Sequence, residues 1–252
     1  KKALTLVGTL LLVSFIAFLL FQIVPGDPVT SMLGTEYSEE RAESLREELG
    51  INKPVIVRYV NWLTDFVKGD FGISYKYKMP VSRLISDKIP VTMYLAVITL
   101  IVIVIISIPL GVFMARFGHR KVSKIFDIVN QSVMAVPSFF LGIMITIIFG
   151  LVLKWFTPGK YVSYRDDFNG FIMYLIPAAF AVAIPKIAMM VKFLKNSLIR
   201  EMDSDYVRTA YSKGAGENRV LFCHVLRNGL MPAITLLGMI IAEIMAGSIV
   251  VE

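Results

Sequence analysis

The chain of 252 residues is 56% hydrophobic, has a mean hydropathy of +0.69 and carries a formal net charge of +7. This composition excludes an ordinary soluble domain and is typical of a polytopic membrane protein, in which basic residues collect beside apolar segments rather than form a nucleic-acid-binding surface. One cysteine and two histidines more than 100 residues apart also exclude a disulfide framework and the common metal-ligand spacings.

Apolar segments long enough to cross a membrane recur along the chain. A transmembrane helix needs roughly 20 mainly apolar residues, and five segments reach that length: 3–24, 91–115, 126–154, 171–194 and 228–251. The first is longer than the core of a signal peptide and lacks a small-residue cleavage pattern, so we interpret it as a retained helix. The third could tilt or begin with an interfacial turn. The sequence therefore predicts an all-α, polytopic membrane protein with five visible transmembrane helices.

The charges between these segments alternate in a way that predicts one orientation. Segments 116–125 and 192–227 hold four and seven basic residues against none and four acidic ones, and the N-terminus begins with two lysines. Segments 25–90 and 155–170 are nearly balanced, with nine against ten and two against two. Because basic loops stay in the cytoplasm, we expect the N-terminus and both basic loops to be cytoplasmic.

The C-terminus predicts a longer protein. An odd number of helices would leave Glu252 outside the cell, and the chain stops there without a polar tail and starts without Met. We therefore expect that these residues are part of a longer protein.

The outer segment 25–90 is too long for a simple connector and contains helix boundary signals. Ser38 is placed to cap a helix with acidic residues in its first turn and Gly50 just beyond its end. Pro54 is placed to open a second helix that runs through Val67. We therefore predict three parts of the chain: the first transmembrane helix (1–24), a small extracytoplasmic cap (25–90) and a transmembrane core (91–252).

The core is expected to contain a cytoplasmic loop, 196–227, with a pattern of its own. Residues 206–213 favour a short helix, and Gly214 and Gly216 are expected to end it with dihedral angles that other residues avoid. A second helix is predicted at 217–227. This protrusion would present five side chains to its surroundings: Tyr206, Val207, Arg208, Tyr211 and Lys213.

Two functions fit such a protrusion on its residues alone. An amphipathic helix of this kind could fill a groove on a soluble partner. A solvated basic loop resting on anionic lipid headgroups explains the same residues, and for a generic loop this is the more common case.

The stretch 205–232, DYVRTAYSKGAGENRVLFCHVLRNGLMP, resembles the cytoplasmic loop of ABC importer permeases of the oligopeptide, dipeptide and nickel type. Each further motif is weak alone, but the ordered set is specific and spans nearly the whole chain. The further motifs are IVPGDPV at 23–29, ELGINKPVIVRYVNWL at 48–63, GDFGISY at 69–75, IPLGV at 108–112 and VPSFFLGI at 136–143.

The resemblance implies that the chain is the first permease of a pair in a bacterial ABC importer, located in the plasma membrane and carrying oligopeptides, dipeptides or nickel chelates. Similar proteins continue into a sixth transmembrane helix, so the resemblance also implies one after Glu252. The implied partners are a second homologous permease, two cytoplasmic ATPase subunits, an extracytoplasmic substrate-binding protein and membrane lipid. The loop would be the coupling helix that docks on an ATPase. The residues implied in this role are Asp205, Tyr206, Val207, Arg208, Thr209, Ala210, Lys213 and Gly214.

The sequence carries no catalytic motif. It has no G-x-x-x-x-G-K-[ST] phosphate loop, so ATP and magnesium are expected on the partner subunits. It also lacks G-x-S-x-G, H-E-x-x-H and paired-cysteine motifs. We therefore expect a transport subunit without enzyme activity and without a cofactor or metal of its own.

Two charges fall inside predicted membrane helices. Lys186 lies nine residues before Lys195, and Glu243 lies eleven residues after Pro232. These spacings, roughly 13 Å and 16 Å along a helix, place both charges at a similar depth. A charge at that depth costs several kcal/mol unless it is paired or hydrated. We expect Lys186 and Glu243 to face the translocation path or each other, so a structural ion pair and a substrate-lining role both stay open.

Prolines lie within or near the predicted helices, at Pro137, Pro177 and Pro185. Each could break a helix that lines a cavity, or could be a kink that neighbouring helices tolerate, which is the more common outcome.

A self-sufficient secondary carrier or channel is the alternative function, because it too would keep Lys186 and Glu243 in the membrane. Such carriers often contain internal repeats, and the sequence has no visible repeat.

Overall fold

The computed structural model describes residues 1–23, 28–34, 37–118 and 121–247. These residues form helices almost throughout, with one small sheet, and the chain divides into two compact units, Lys1–Ile89 and Pro90–Glu252. Residues 24–27 of the motif at 23–29, residues 119–120 of the basic loop 116–125 and the chain end at Glu252 lie outside the described residues.

The first unit combines one long apolar helix with several short elements. Its two-stranded sheet is antiparallel, with Ile73 opposite Pro80. The sequence does not predict this sheet, because strands of two residues carry no periodicity. The elements in chain order are α1 (Lys2–Ile23), α2 (Pro28–Leu33), α3 (Glu39–Glu48), α4 (Val55–Val67), β1 (Ile73–Ser74), β2 (Met79–Pro80) and α5 (Val81–Ser86).

The boundaries of α3 and α4 confirm the signals read from the sequence. The Ser38 hydroxyl accepts a hydrogen bond from the backbone N–H of Arg41 at 3.4 Å, and Gly50 follows the helix with φ of +65°. Pro54 precedes the first residue of α4, which ends at Val67 as predicted. The two helices therefore begin and end where their capping and boundary residues predict.

An aromatic cluster joins α4 to α1. The Tyr59 hydroxyl lies 2.7 Å from Ser14 Oγ and donates to the Leu11 carbonyl at 3.1 Å, and the Phe15 ring meets Tyr59 edge-on with 5.0 Å between ring centroids. None of the α1 residues is buried within the chain. The helix is long and apolar enough to span a membrane, so its exposed side chains are suited to a lipid environment.

The second unit holds the remaining long helices. Two π-helical segments extend helices in it, Thr146–Val152 after α8 and Val220–Val225 before α12. The helices are α6 (Lys88–Arg116), α7 (Lys121–Met134), α8 (Ser138–Ile145), α9 (Phe168–Met202), α10 (Asp205–Ser212), α11 (Glu217–Arg219) and α12 (Leu226–Gly247).

Among the described residues, four helical stretches are long and apolar enough to cross a membrane: Lys2–Ile23, Val81–Arg116, Phe168–Met202 and Glu217–Ala246. A fifth arises if the bent pair formed by α7 and the helix after it counts as one span. The protein is therefore an all-α, polytopic membrane protein, as predicted.

The third predicted segment, 126–154, differs from a single tilted helix. It is bent by 92° between Met134 and Ser138. Val136 precedes a proline, which disfavours the helical region, and Pro137 takes an extended conformation before the first turn of α8. Pro177 and Pro185, by contrast, lie inside the continuous helix α9, where their missing N–H groups are tolerated.

The helix predicted at 217–227 is not a separate element. It forms the first turns of the last long stretch, Glu217–Ala246, and α9 reaches Met202, so only 203–216 connect the two long stretches. The physical reason is burial. The side chains that face the core in these first turns are Val220, Leu221 and Val225, and continuing the helix keeps them packed there.

The main hydrophobic core lies among α6, α9 and α12. Leu194 and Leu198 of α9 and Ile240 and Ile244 of α12 are almost completely buried in it. A Cβ atom on Gly111 would lie 2.8 Å from Leu194 Cδ2, so the absence of a side chain allows α6 to approach α9 closely at that point.

Candidate functional site

The predicted coupling helix is α10, and one side of it is anchored in the core. Val207 is only 2% exposed and belongs to the core cluster, and Ala210, one turn later, packs against that cluster. Val207 is therefore not presented to a partner as the sequence analysis expected. Its apolar side chain gains more free energy from burial against the long helices than from contact with solvent.

The opposite side of α10 is open. Asp205, Arg208, Thr209 and Lys213 are exposed, and Arg208 forms an ion pair with Asp205 one turn earlier, with 3.6 Å between nitrogen and oxygen. Both partners of this pair are solvated, so it contributes little to stability. The outer side thus offers both charges and hydroxyl groups to a partner.

Gly214 ends α10 with a backbone conformation that favours glycine. Its φ is +80°, its N–H donates to the Tyr211 carbonyl at 2.9 Å, and the Ala215 N–H donates to the Ala210 carbonyl at 3.1 Å. These two bonds define a Schellman motif, in which a left-handed residue satisfies the last helix carbonyls. The turn fixes the direction in which α10 meets the following helix.

Gly216 does not share this requirement. Its φ of −70° and ψ of 156° are accessible to any residue, and a Cβ atom there would meet nothing within 4 Å. The expectation that both glycines adopt unusual dihedral angles was therefore wrong for Gly216, because the Schellman motif needs only one left-handed residue.

Tyr206 ties the start of α10 to the end of α9. Its hydroxyl donates to Glu201 Oε2 at 2.7 Å. Partial burial raises the pKa of Tyr206, and the hydrogen bond and negative charge of Glu201 raise it further, while a hydrogen bond with Asn228 acts in the opposite direction. Tyr206 therefore stays a neutral hydrogen-bond donor at physiological pH.

A second polar contact braces the other side of this region. Arg116, at the end of α6, forms an ion pair with Glu217 at the start of the last long stretch, with 3.4 Å between Nε and Oε1. Arg116 and Glu217 line a small pocket, and Tyr211 of α10 and Val220 also contribute to its wall. The exposed helix α10 is thus held by neighbours from three long helical stretches.

The structure also brings Lys186 and Glu243 together. Lys186 Nζ donates to Glu243 Oε2 across the contact between α9 and α12. The side chains are 23% and 52% exposed within the chain, so the carboxylate remains half open. Each charge therefore has a partner of opposite charge. A role of the two residues in the translocation path stays a prediction.

A further ion pair was missed by the sequence analysis. Lys195 Nζ lies 2.8 Å and 2.6 Å from the two carboxylate oxygens of Asp127 and 3.0 Å from Ser123 Oγ. One turn along α7, Asn130 Nδ2 donates to the Ala188 carbonyl at 2.7 Å. Asp127 could have indicated such a pair, because it is a single acid inside an otherwise apolar segment. Its partner could not be identified from the sequence, since Lys195 lies 68 residues away.

These contacts between α7 and α9 border a cavity of about 450 Å³. Its wall is mostly aliphatic and aromatic, with Asp127, Asn130, Lys192 and Lys195 at the polar positions. In the described ranges, no three side chains of His, Cys, Asp or Glu come together as a metal site would need.

Comparisons with known proteins cover the chain from end to end. A family model described as "Binding-protein-dependent transport system inner membrane component" matches residues 107–252, and a model for the N-terminal part of such membrane components matches residues 1–96. An oligopeptide transport system permease protein of Bacillus subtilis is 35% identical over 255 residues, which is 100% of this chain and 81% of the relative.

Other relatives are similar over the same length. A putative peptide transport system permease protein of Brucella suis is 34% identical over 100% of this chain and 80% of its own length. A glutathione transport system permease protein of Shigella boydii is 30% identical, again over 100% of this chain and 80% of the relative.

Proposed function

Because this chain belongs to the family of binding-protein-dependent transport system inner membrane components, we propose that it carries oligopeptides as one of two paired permeases in a bacterial ABC importer. The family makes it a multi-pass protein of the bacterial inner membrane and a permease component without its own ATPase motif. Peptide cargo is supported by the names of the relatives, which cover oligopeptide, peptide and glutathione transport. Dipeptides and nickel chelates are the alternative cargoes.

The proposed assembly contains a second homologous permease, two cytoplasmic ATPase subunits and an extracytoplasmic binding protein. The binding protein would deliver its ligand on the side of segment 25–90, and the N-terminus would lie in the cytoplasm. The charge difference between the loops supports this orientation, since basic loops remain in the cytoplasm.

The observation that carries the proposal is the construction of α10. Val207 anchors the helix in the core, Gly214 fixes its end, and the side with Asp205, Arg208, Thr209 and Lys213 stays free for a groove on an ATPase. A short helix fastened on one side and open on the other can pass a displacement of its partner to the long helices. Alternation between two states of the transporter would follow from that displacement, biased by ATP and by cargo.

The variant Gly214→Val tests this coupling role. A β-branched residue is strained at φ of +80°, so we expect the turn to shift, membrane insertion to persist, and ATP-driven peptide uptake to fall more than tenfold. The measurement is uptake and ATP hydrolysis by the whole transporter in proteoliposomes. Labelling of Cys223 with a membrane-impermeant maleimide, from the side that receives ATP, checks the orientation in the same vesicles.

Gly216→Ala is the matched control, because that position has an ordinary φ and open space, and it should retain uptake. Full uptake by Gly214→Val would contradict the coupling role. Peptide transport by this chain alone, without ATPase subunits, would instead support the secondary carrier.

A further inference from the structure

From the ion pair between α9 and α12 we infer that Lys186 and Glu243 form a clamp for the two charged ends of a short peptide. Lys186 receives the C-terminal carboxylate and Glu243 receives the N-terminal ammonium group. The inference rests on the proposed function, since it names the chemistry by which a peptide is held within the permease.

The position of the pair indicates a role in the path. Lys186 lies near the middle of α9, and Glu243 lies in the apolar run of the last long stretch, between Ala242 and Ile244. Ionisable residues in membrane segments are rare, face the protein interior or a hydrated cavity, and mark substrate pathways. A purely structural contact between these helices needs no charges, because aliphatic side chains already pack α9 against α12.

The pair is built so that it can exchange partners. The side chain of Lys186 is 23% exposed, whereas that of Lys195, on the same helix α9, is 9% exposed and is held by both Asp127 and Ser123. The Glu243 carboxylate bonded to Lys186 is itself 52% exposed. An ammonium group can approach the free side of the Glu243 carboxylate without displacing core residues. Lys186, with one acceptor among the described residues, is free to turn toward a second anion.

The surface of the last helix beside Glu243 has room for a peptide backbone. Four exposed positions at helical spacing carry small side chains, and a Cβ atom at the glycine among them would meet nothing within 4 Å. These positions are Thr235, Gly238, Ala242 and Ala246. Small residues allow a second backbone to approach a helix closely, so an extended peptide could lie along this surface with one end at Glu243.

The charges balance during the exchange. One internal ion pair opens, and two new pairs form with the peptide, so no net charge is added to the membrane interior. A peptide with one blocked end would leave either Lys186 or Glu243 without a partner, which a membrane environment penalises. The clamp therefore selects zwitterionic peptides.

The reach of the Lys186 and Glu243 side chains limits the length of the peptide that they can hold at both ends. An extended peptide spans about 3.3–3.6 Å per residue, so the ends of a dipeptide or tripeptide lie about 7–10 Å apart. Packed helix axes are separated by about 8–10 Å, and the lysine stem is flexible. Lys186 and Glu243 can therefore hold both ends of a peptide only when it has two or three residues. The preference for free ends should weaken for longer peptides.

The test uses four forms of trialanine: free, N-acetylated, C-amidated, and blocked at both ends. Uptake by the complete transporter in proteoliposomes is measured for each form with one binding protein throughout, so the selectivity of that protein cancels between permease variants. We expect Glu243→Gln to reduce the preference for a free N-terminus about tenfold, and Lys186→Gln to reduce the preference for a free C-terminus about tenfold. Each should leave the other preference unchanged.

Two further variants keep the test decisive. Lys192→Gln removes an exposed lysine from the same helix and should change neither preference. The double variant Lys186→Gln/Glu243→Gln retains hydrogen bonding between two neutral amides, so it should assemble even where a single variant does not, and it should lose both preferences.

Equal loss of uptake for all four peptides, or unchanged preferences in the double variant, would overturn the clamp and leave a structural ion pair. Uptake of a longer oligopeptide without uptake of any form of trialanine would overturn the clamp and leave peptide transport standing. Failure of the wild-type transporter to take up either would count against peptide transport itself, which separates the failure of the proposed function from the failure of the clamp alone.

Discussion

Two lysines nine residues apart on α9 both pair with an acid from another helix, but their surroundings differ. Lys195 is almost fully enclosed, with Asp127 and Ser123 of α7 around its ammonium group. Lys186 meets Glu243 of the last long stretch, and more than half of the glutamate side chain remains exposed. The two carboxylates are exposed to a similar extent, 46% and 52%, but Lys195 is enclosed whereas Lys186 is 23% exposed, so the first pair is the closed pair and the second the open pair.

This difference distinguishes an ion pair that stabilises the fold from one that can also bind a ligand. Burying an ammonium group is costly, and the cost is offset only when its hydrogen bonds are satisfied, as they are for Lys195. That arrangement holds α7 against α9 and leaves the Lys195 ammonium group no free side, although the Asp127 carboxylate borders the cavity. In the open pair the lysine has fewer partners, so part of that stabilisation is absent and the ammonium group can turn toward another anion. We expect substitutions to affect stability at the closed pair and selectivity at the open pair.

The largest effect on stability is expected for Asp127→Asn. It would leave the buried Lys195 ammonium without a counter-charge, so the free energy of unfolding should fall by about 3 kcal/mol. Loss of helicity during titration with a denaturing detergent measures this change. Because neutral replacement of a whole buried pair is often tolerated, the double variant Asp127→Leu/Lys195→Met should recover most of the loss; equal damage in both variants would contradict a fastening role.

A smaller effect is expected for Ser123→Ala. This change removes one acceptor from Lys195 while Asp127 remains in place, so it should cost about 1.5 kcal/mol, the usual worth of a hydrogen bond to a charged group. Ser132→Ala is the control on the same helix, since that hydroxyl is exposed and donates to the Ile128 carbonyl of its own helix. Equal stability of the two variants in the same titration would show that Ser123 does not support Lys195.

The smallest change in stability is expected for Glu243→Gln. Lys186 is 23% exposed and position 243 is half exposed, so water can reach the lysine after the substitution, and the amide oxygen can still accept its hydrogen bond. The free energy of unfolding of the isolated chain should therefore change by less than about 1 kcal/mol. The same titration measures it. A loss as large as that of Asp127→Asn would remove the distinction between the closed and the open pair.

Features that depend on neighbouring residues were predictable from the sequence. The cap at Ser38, the start of α4 after Pro54 and the left-handed turn at Gly214 follow from local backbone chemistry, and the structure has all three. The burial of Val207 was not predictable, because the sequence around α10 cannot tell which side of a short amphipathic helix faces the long helices.

The sequence by itself determined the apolar lengths, the charge pattern and the family motifs, and through them the class of protein. These properties are local or additive along the chain, so no knowledge of packing is needed to read them. Tertiary structure alone decided that Lys195 meets Asp127 across 68 residues, that the helix beginning at Glu217 runs on into the core, and that Glu243 keeps an open side. Each of these depends on which helix surfaces pack together, and the burial that selects those surfaces is a property of the whole fold.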